Sequence, residues 1–436
     1  MPSRPHWPIR MRMGVSWCAT SPAGISGSVP HGHSDVPHLI RQLITQLWNH
    51  SMTASSLSHR SNRVDALVVI LTGVIVLMML AACDAPSSGD SQAVDTGTAP
   101  PMQEIQDMLG RQVSVPKQVE RIATVNVDAY RMVVHLQAAD RLVGIPGDMF
   151  GSRFSREKTI EALAVAHVDD IPQLGGGQPG SDINLEKVVS VSPDVFFYWA
   201  FSRGDSTQAM ADHADRLQRQ LGVPVVAVST LGRERDPERI MDEIERAYGL
   251  MGMILDQEAR AQALLDRYRQ EVSSIQSCIQ GEGTPRVYLA HRTNLFSNVA
   301  FYYPLEQLGA THVASTRRGR DGEVSAEQLL QWDPEHIFLH TPSQASHVAL
   351  DSVLEDARLQ GVAAIRDGQV HRFKGTYMGW DLATGLVDLI RMGKILYPDA
   401  LEDLDVQARG EDILHTFYGK PGLYEHLSRQ SGFKDL

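Results

Sequence analysis

The sequence predicts an α/β protein of two lobes, each built on a mostly parallel sheet, with one long helix joining them and a cleft between. Three observations carry this reading. Short β-rich runs alternate with helical ones, a stretch of sixteen residues occurs twice, and an uninterrupted helical segment lies between the copies.

The strands come first. Arg121–Val127, Arg141–Ile145, Asp194–Trp199 and Pro224–Ser229 are apolar runs bounded by turn residues, and a second series follows at Arg286–Ala290, His336–His340 and Gln369–Phe373. Between the two series, 256–280 contains no Gly or Pro. Its Ala259, Ala263, Leu264, Tyr268, Val272, Ile275 and Ile279 recur near three- and four-residue spacing. A helix of about 25 residues spans roughly 37 Å, enough to cross between two lobes. The repeat aligns Asp182–Phe197 on Glu323–Phe338 without gaps at an offset of 141, matching Asn184 to Ser325, Glu186 to Glu327 and Pro193 to Pro334. Each copy reads as an N-cap, a short amphipathic helix, a proline break and a buried strand. The Gly175-Gly176-Gly177 run lacks the remainder of a phosphate-loop pattern and reads as a turn.

The N-terminal region is organised differently. Ala66 to Ala82 is a 17-residue apolar run that follows Arg60 and Arg63 and ends at Cys83. That is the anatomy of a secretory signal, and Leu80-Ala81-Ala82-Cys83 looks like a bacterial lipobox, with Cys83 lipidated. Met52 is the more natural start, so 1–51 reads as an upstream mis-start. The organisation expected is a leader over 1–82 (mis-start 1–51, signal peptide 52–82), then the lipidated cysteine and a flexible Ser/Gly/Asp/Thr/Pro-rich tether over 83–103. The first lobe follows over 104–255, the bridging helix over 256–282, and the second lobe with a helical tail over 283–436. The tail has helical spacing around Ile413-Leu414, Phe417-Tyr418 and Leu423 and is expected to pack on the second lobe.

The net charge of -12 is unevenly spread: residues 1–82 carry +4 and the remainder -16. An acidic body argues against nucleic acid as partner, because phosphate binding needs clustered positive charge. Three cysteines are too few for a disulfide framework.

With the elements in order, the chain from Asp107 to Pro398 resembles the periplasmic binding proteins that serve ABC importers of iron–siderophore, haem or cobalamin. The resemblance rests on Asp107-Met-Leu-Gly-Arg-Gln-Val-Ser-Val-Pro116, on Asn184-Leu-Glu186 followed by Ser192-Pro193-Asp194, and on Val324-Ser-Ala-Glu327. Gly368-Gln-Val-His371 and Lys394-Ile-Leu-Tyr-Pro-Asp399 fit as well. It implies two Rossmann-like lobes bridged by one backbone helix, with the ligand between them. It also implies that Glu186 and Glu327 meet arginines of the permease, which works with its ATPase. The protein is then a lipid-anchored binding protein in the periplasm or on the outer face of the cytoplasmic membrane, without a cofactor of its own. The expected ligand is a metal chelate, ferric siderophore first and haem or a corrinoid next. A molybdate- or tungstate-type oxoanion is the alternative, and a chelatase-like enzyme on the same fold is the alternative of another class.

Ligands of open α/β sheets bind beyond the C-terminal ends of strands. Those ends and nearby loops carry Asn126, Tyr198, Trp199, His291, Arg292, Tyr302, His340, Tyr377 and Trp380, the candidate ligand contacts. Aromatic surface with a few polar groups suits a flat chelate, and Arg292 suits an anionic rim. His291 and His340 are placed to meet, yet no His/Cys/Asp cluster has the spacing of a protein metal site. No GxSxG is present, no GxGxxG follows a strand, and no paired carboxylates have an evident role, so binding is favoured over catalysis.

Overall fold

The computed structural model describes residues 100–147, 158–176, 182–201, 205–230, 237–291, 294–314, 322–341, 350–375 and 380–434. The leader, Cys83, Arg292, Tyr377 and most of the tether lie outside the described residues. Residues 96–436 form one compact unit.

The first lobe opens with an antiparallel hairpin, β1 (Met102–Gln106) on β2 (Gln112–Pro116). Strand β1 therefore begins inside the stretch read as tether. The turn that follows it is clamped to the main sheet. The buried Asp107 carboxylate accepts from the backbone N–H of Leu109, Arg111 and Ala227, and Arg111 Nη2 donates to the Val225 carbonyl at 2.6 Å. The sheet itself comprises β3 (Ile122–Thr124), β4 (Leu142–Gly144), β5 (Val195–Trp199) and β6 (Val225–Val228), all parallel in the order β4-β3-β5-β6. Every residue of β5 and β6 is buried, which is why both read as continuous apolar runs. Strand β3 stops three residues before the expected end, because Asn126 leaves it to cap helix α1 (Val127–His135). Of the glycine run, Gly175 and Gly176 have φ of 82° and 71°, and a Cβ on Gly175 would meet the Asp182 carbonyl at 2.6 Å, while Gly177 lies outside the described residues. Helices α2 (Ile160–Leu163), α3 (Leu185–Ser190) and α4 (Thr207–Leu221) complete this lobe.

The second sheet contains β7 (Arg286–His291), β8 (Asn294–Asn298), β9 (Thr311–His312), β10 (His336–His340) and β11 (Val370–Phe373). Its order is β11-β10-β7-β8, parallel apart from β8, with β9 also paired to β7. Helices α7 (Tyr303–Gln307), α8 (Ala326–Trp332), α9 (Leu350–Leu354), α10 (Ala363–Arg366) and α11 (Leu382–Leu396) accompany it.

Between the sheets run α5 (Pro237–Leu255) and α6 (Glu258–Cys278). The chain reverses at Asp256, whose φ is 56°, and Arg269 Nη2 on α6 pairs with Glu245 Oε1 on α5 at 2.6 Å. Helix α6 is the expected bridge, about 31 Å long from its 21 residues. Near its start Arg260 donates to the carbonyls of His135 and Thr416, and further along Tyr268 and Gln276 bond to Gln307 of the second lobe.

The tail corrects the reading above. Helices α12 (Val406–Tyr418) and α13 (Leu423–Ser431) do pack on α11, but they continue across the first lobe. Lys420 Nζ reaches the Leu163 carbonyl of α2, His426 Nε2 bonds the Lys158 carbonyl at 2.8 Å, and Phe417 and Tyr418 pack edge-on against the His135 ring of α1. Apolar side chains at helical spacing show that such helices have a face to bury; they do not say which lobe receives it. One continuous buried core consequently runs from β5 and β6 through α5 and α6 to α11 and α12. A smaller cluster around Tyr288, Leu329, Ile337 and Leu339 fills the other face of the second sheet.

Candidate functional site

The C-terminal end of the first sheet meets the segment that enters α11. Thr230, two residues beyond β6, accepts from the Trp380 backbone N–H at 2.9 Å through its hydroxyl oxygen, and the same hydroxyl donates to the Trp380 carbonyl at 3.1 Å. These two bonds join the lobes here.

On the first lobe, Asn126 is fully buried. Its side-chain oxygen accepts from the N–H of Asp128 and Ala129, and its amide donates to the carbonyls of Tyr198 and Val228. All four of its hydrogen-bonding capacities are thus used in joining β3, α1, β5 and β6. Tyr198 is buried near the His213 ring, and burial raises its phenol above the ordinary value. Trp199 is only 1% exposed, and its indole N–H has no hydrogen-bond partner among the described residues.

On the second lobe, His291 and His340 are brought together. They end the adjacent strands β7 and β10, and their ring centroids are 5.8 Å apart. His340 lies against the Phe373 ring at 5.3 Å and against the backbone of Gly375, where a Cβ would fall 2.1 Å from the imidazole Cδ2. Asp388 of α11 fixes that backbone by accepting from the N–H of Lys374 at 2.9 Å and of Gly375 at 2.7 Å. Tyr302 is buried and donates its hydroxyl to the same carboxylate at 2.5 Å, while its ring stacks on Trp380 at 5.8 Å. Tyr302 is therefore a strut for Asp388 and Trp380, whereas Trp380 is half-buried and reaches the junction. Glu186 and Glu327 are both exposed, each in the first turn of its short helix.

Sequence reasoning missed a buried ionic cluster that spans the lobes. Arg131 on α1 pairs with Glu161 at 2.9 Å and Asp128 at 3.3 Å on its own side, and lies 3.8 Å from Asp381, the N-cap of α11, on the other. Tyr418 of the tail donates to Asp381 at 2.9 Å. Burial opposes the charge on Glu161, but Arg131 and then Lys374 hold its carboxyl below the ordinary range; burial in turn lowers Lys374. Asp128 is pushed up to about 6 by burial, against Arg131 and the bonds it accepts from Thr230 and Ser229. His135, one turn after Arg131, is held neutral by burial and by the neighbouring Arg131 charge, and its Nδ1 bonds the Tyr248 hydroxyl at 2.7 Å. The available signal was Arg131 and His135, four apart in a helix whose every residue is buried.

Residues 122–377 match the family model described as periplasmic binding protein. The molybdate-binding protein MolA of Haemophilus influenzae is 22% identical over 340 residues, covering 72% of this chain and 90% of that protein. Among solved structures, a periplasmic solute-binding protein of Veillonella parvula superposes with a TM-score of 0.60 at 20% identity, covering 76% of this chain and 97% of the other. MolA bound to molybdate superposes at 0.57 and 17% identity, covering 73% and 98%. CeuE of Helicobacter pylori, in a nickel–histidine complex, gives 0.55 at 16% identity, covering 75% and 99%. These likenesses show a shared two-lobed α/β fold. With more than half of its length matched by the family model, the chain belongs to the periplasmic binding protein family.

Proposed function

We propose that this protein is the substrate-binding component of an ABC importer, acting outside the cytoplasmic membrane, and that it captures a compact oxoanion of the molybdate type between its lobes. The observation that carries the reading is the pair His291 and His340, side by side at the C-terminal ends of β7 and β10. Imidazole N–H groups are suitable donors to an oxoanion, and charge-assisted bonds of this kind are roughly twice as strong as neutral ones. Trp199 offers a further donor from the first lobe in this reading. Likeness to MolA, over 90% of that protein's length, supports the choice of ligand. Glu186 and Glu327 orient the loaded protein on its permease, and Cys83 anchors it in lipid.

A second reading keeps the function and changes the cargo to a metal chelate, ferric siderophore before haem or corrinoid. The stacked Tyr302 and Trp380, with Tyr303 edge-on to Trp380, favour it, because a chelate needs an aromatic wall. Native mass spectrometry on the full chain, offered molybdate and ferric enterobactin-type chelate in turn, separates the two. Retention of one molybdate per chain supports the first reading. Retention of the chelate alone replaces it with the second, and retention of neither, at concentrations where a micromolar site would fill, removes both.

A further inference from the structure

The repeat that relates the two lobes continues on their outer surface. Val189 and Leu330 are among the few large hydrophobic side chains exposed in the described residues, at 53% and 40%; the others are Met102 and Met253. These two stand at the same repeat position, 141 residues apart, each three residues after the glutamate of its short helix. A spacing of three puts the carboxylate and the aliphatic side chain on one helix face.

The two helices are also held alike. Each has a side-chain N-cap, Asn184 or Ser325, and each is followed by a left-handed residue, Ser192 with φ 44° or Asp333 with φ 42°. An arginine from the first parallel strand region of each lobe closes the C-terminal end: Arg121 donates to the carbonyls of Val191 and Ser192, and Arg286 to that of Trp332. The Asp194 carboxylate accepts from the Arg121 N–H, and Glu335, its repeat counterpart, accepts from the Arg286 N–H. A single exposed aliphatic residue is ordinary. One repeated at the same position, on a scaffold fixed by the same contacts and beside the same carboxylate, marks a surface used twice.

We propose that each lobe presents a two-part contact, Glu186 with Val189 and Glu327 with Leu330, to a membrane-embedded partner that has two equivalent surfaces. Each of those surfaces would offer a cationic side chain beside an apolar hollow. The proposal rests on the importer reading and adds to it the chemistry of the dock. Exposed carboxylates alone orient an encounter and speed it, but contribute little lasting affinity. At the first patch the Lys187 ammonium is turned to the Gln173 carbonyl and does not pair with Glu186. In the second, Arg358 is committed to Asp356 at 2.7 Å. Each patch thus keeps an exposed carboxylate for a partner's cation, and the aliphatic residue beside it supplies the desolvated anchor.

The test measures binding of the full chain to the detergent-solubilised permease–ATPase complex of its transport system, at low and high salt. Val189→Ser and Leu330→Ser should each weaken binding about five- to tenfold, through faster dissociation and with an unchanged salt slope. Glu186→Ala and Glu327→Ala should flatten the salt slope, and Met253→Ser, an exposed side chain outside the repeat, should change nothing. Thermal unfolding midpoints of all five variants should match the parent. Wild-type binding by the two serine variants, with weakening in the glutamate variants, overturns the apolar part and leaves the importer reading intact. Wild-type binding by all four overturns the dock itself.

Discussion

Replacing Arg131 with methionine withdraws the guanidinium that Asp128 and Glu161 share and that faces Asp381 across the lobe junction. At 2.9 and 3.3 Å the two shorter pairs have a gross attraction of about 5–6 kcal/mol each at an effective dielectric near 20. Burying the guanidinium opposes most of that, so the intact cluster is a modest net stabiliser. Removing one partner is a different matter, because the carboxylates stay buried without compensation. The expected cost is about 3–5 kcal/mol, a fall of roughly 10 °C in the melting midpoint for a domain of this size. Calorimetric melting at pH 7 and pH 5 reads both the loss and its cause. Without Arg131 the folded-state pKa of Glu161 loses the charge that holds it down and that of Asp128 climbs further above its unfolded value, so the deficit is largest above those pKa values and shrinks as pH falls through them. The variant should therefore approach the parent at pH 5, and Arg131→Met with Glu161→Gln should recover part of the loss at pH 7. A loss under about 1 kcal/mol, or a gap that does not narrow in acid, would refute the reasoning.

Three other outcomes follow from the same contacts. Gly375→Ala places a methyl 2.1 Å from the His340 ring at a φ of +67°, so ligand affinity should fall at least tenfold while the second sheet still folds; unchanged affinity would detach His340 from the ligand. His371 is depressed to about 4, by burial first and by His336, Lys434 and Arg391 after it. Its contribution is complete above pH 6.5 and lost as pH falls from 6.5 towards 4, up to about 3 kcal/mol; His371→Gln should flatten acid unfolding over that window. Because one core, the bridge α6 and the tail all tie the lobes, small-angle scattering should show a radius of gyration unchanged within error on ligand binding. A large contraction would contradict the stiff bridge.

The strands were legible because both faces of each sheet are covered, so β5 and β6 read as unbroken apolar runs. The bridge was legible from its period, and the repeat from its proline and glutamate. Strands β8 and β9 were not, being a short edge strand and a two-residue one with polar residues. The tail shows where local pattern stops informing. Its anchors to Leu163 and Lys158 join residues more than 250 apart, and nothing in the helical spacing encodes such partners. That His291 and His340 meet was legible, because a parallel sheet brings the ends of neighbouring strands together. The same rule named Asn126 and Tyr302, whose polar atoms bond within the scaffold. The ionic cluster was hidden because its members come from α1, α2, the β11 loop, α11 and the tail.

The most direct test is titration calorimetry of molybdate into the parent, His291→Ala and His340→Ala. The account predicts one site per chain and a loss of about ten- to a hundredfold in each variant, the size expected for removing a hydrogen bond to a charged ligand, with melting of the ligand-free variants unchanged. Parent-like binding in both variants would contradict it and move the ligand away from the histidine pair.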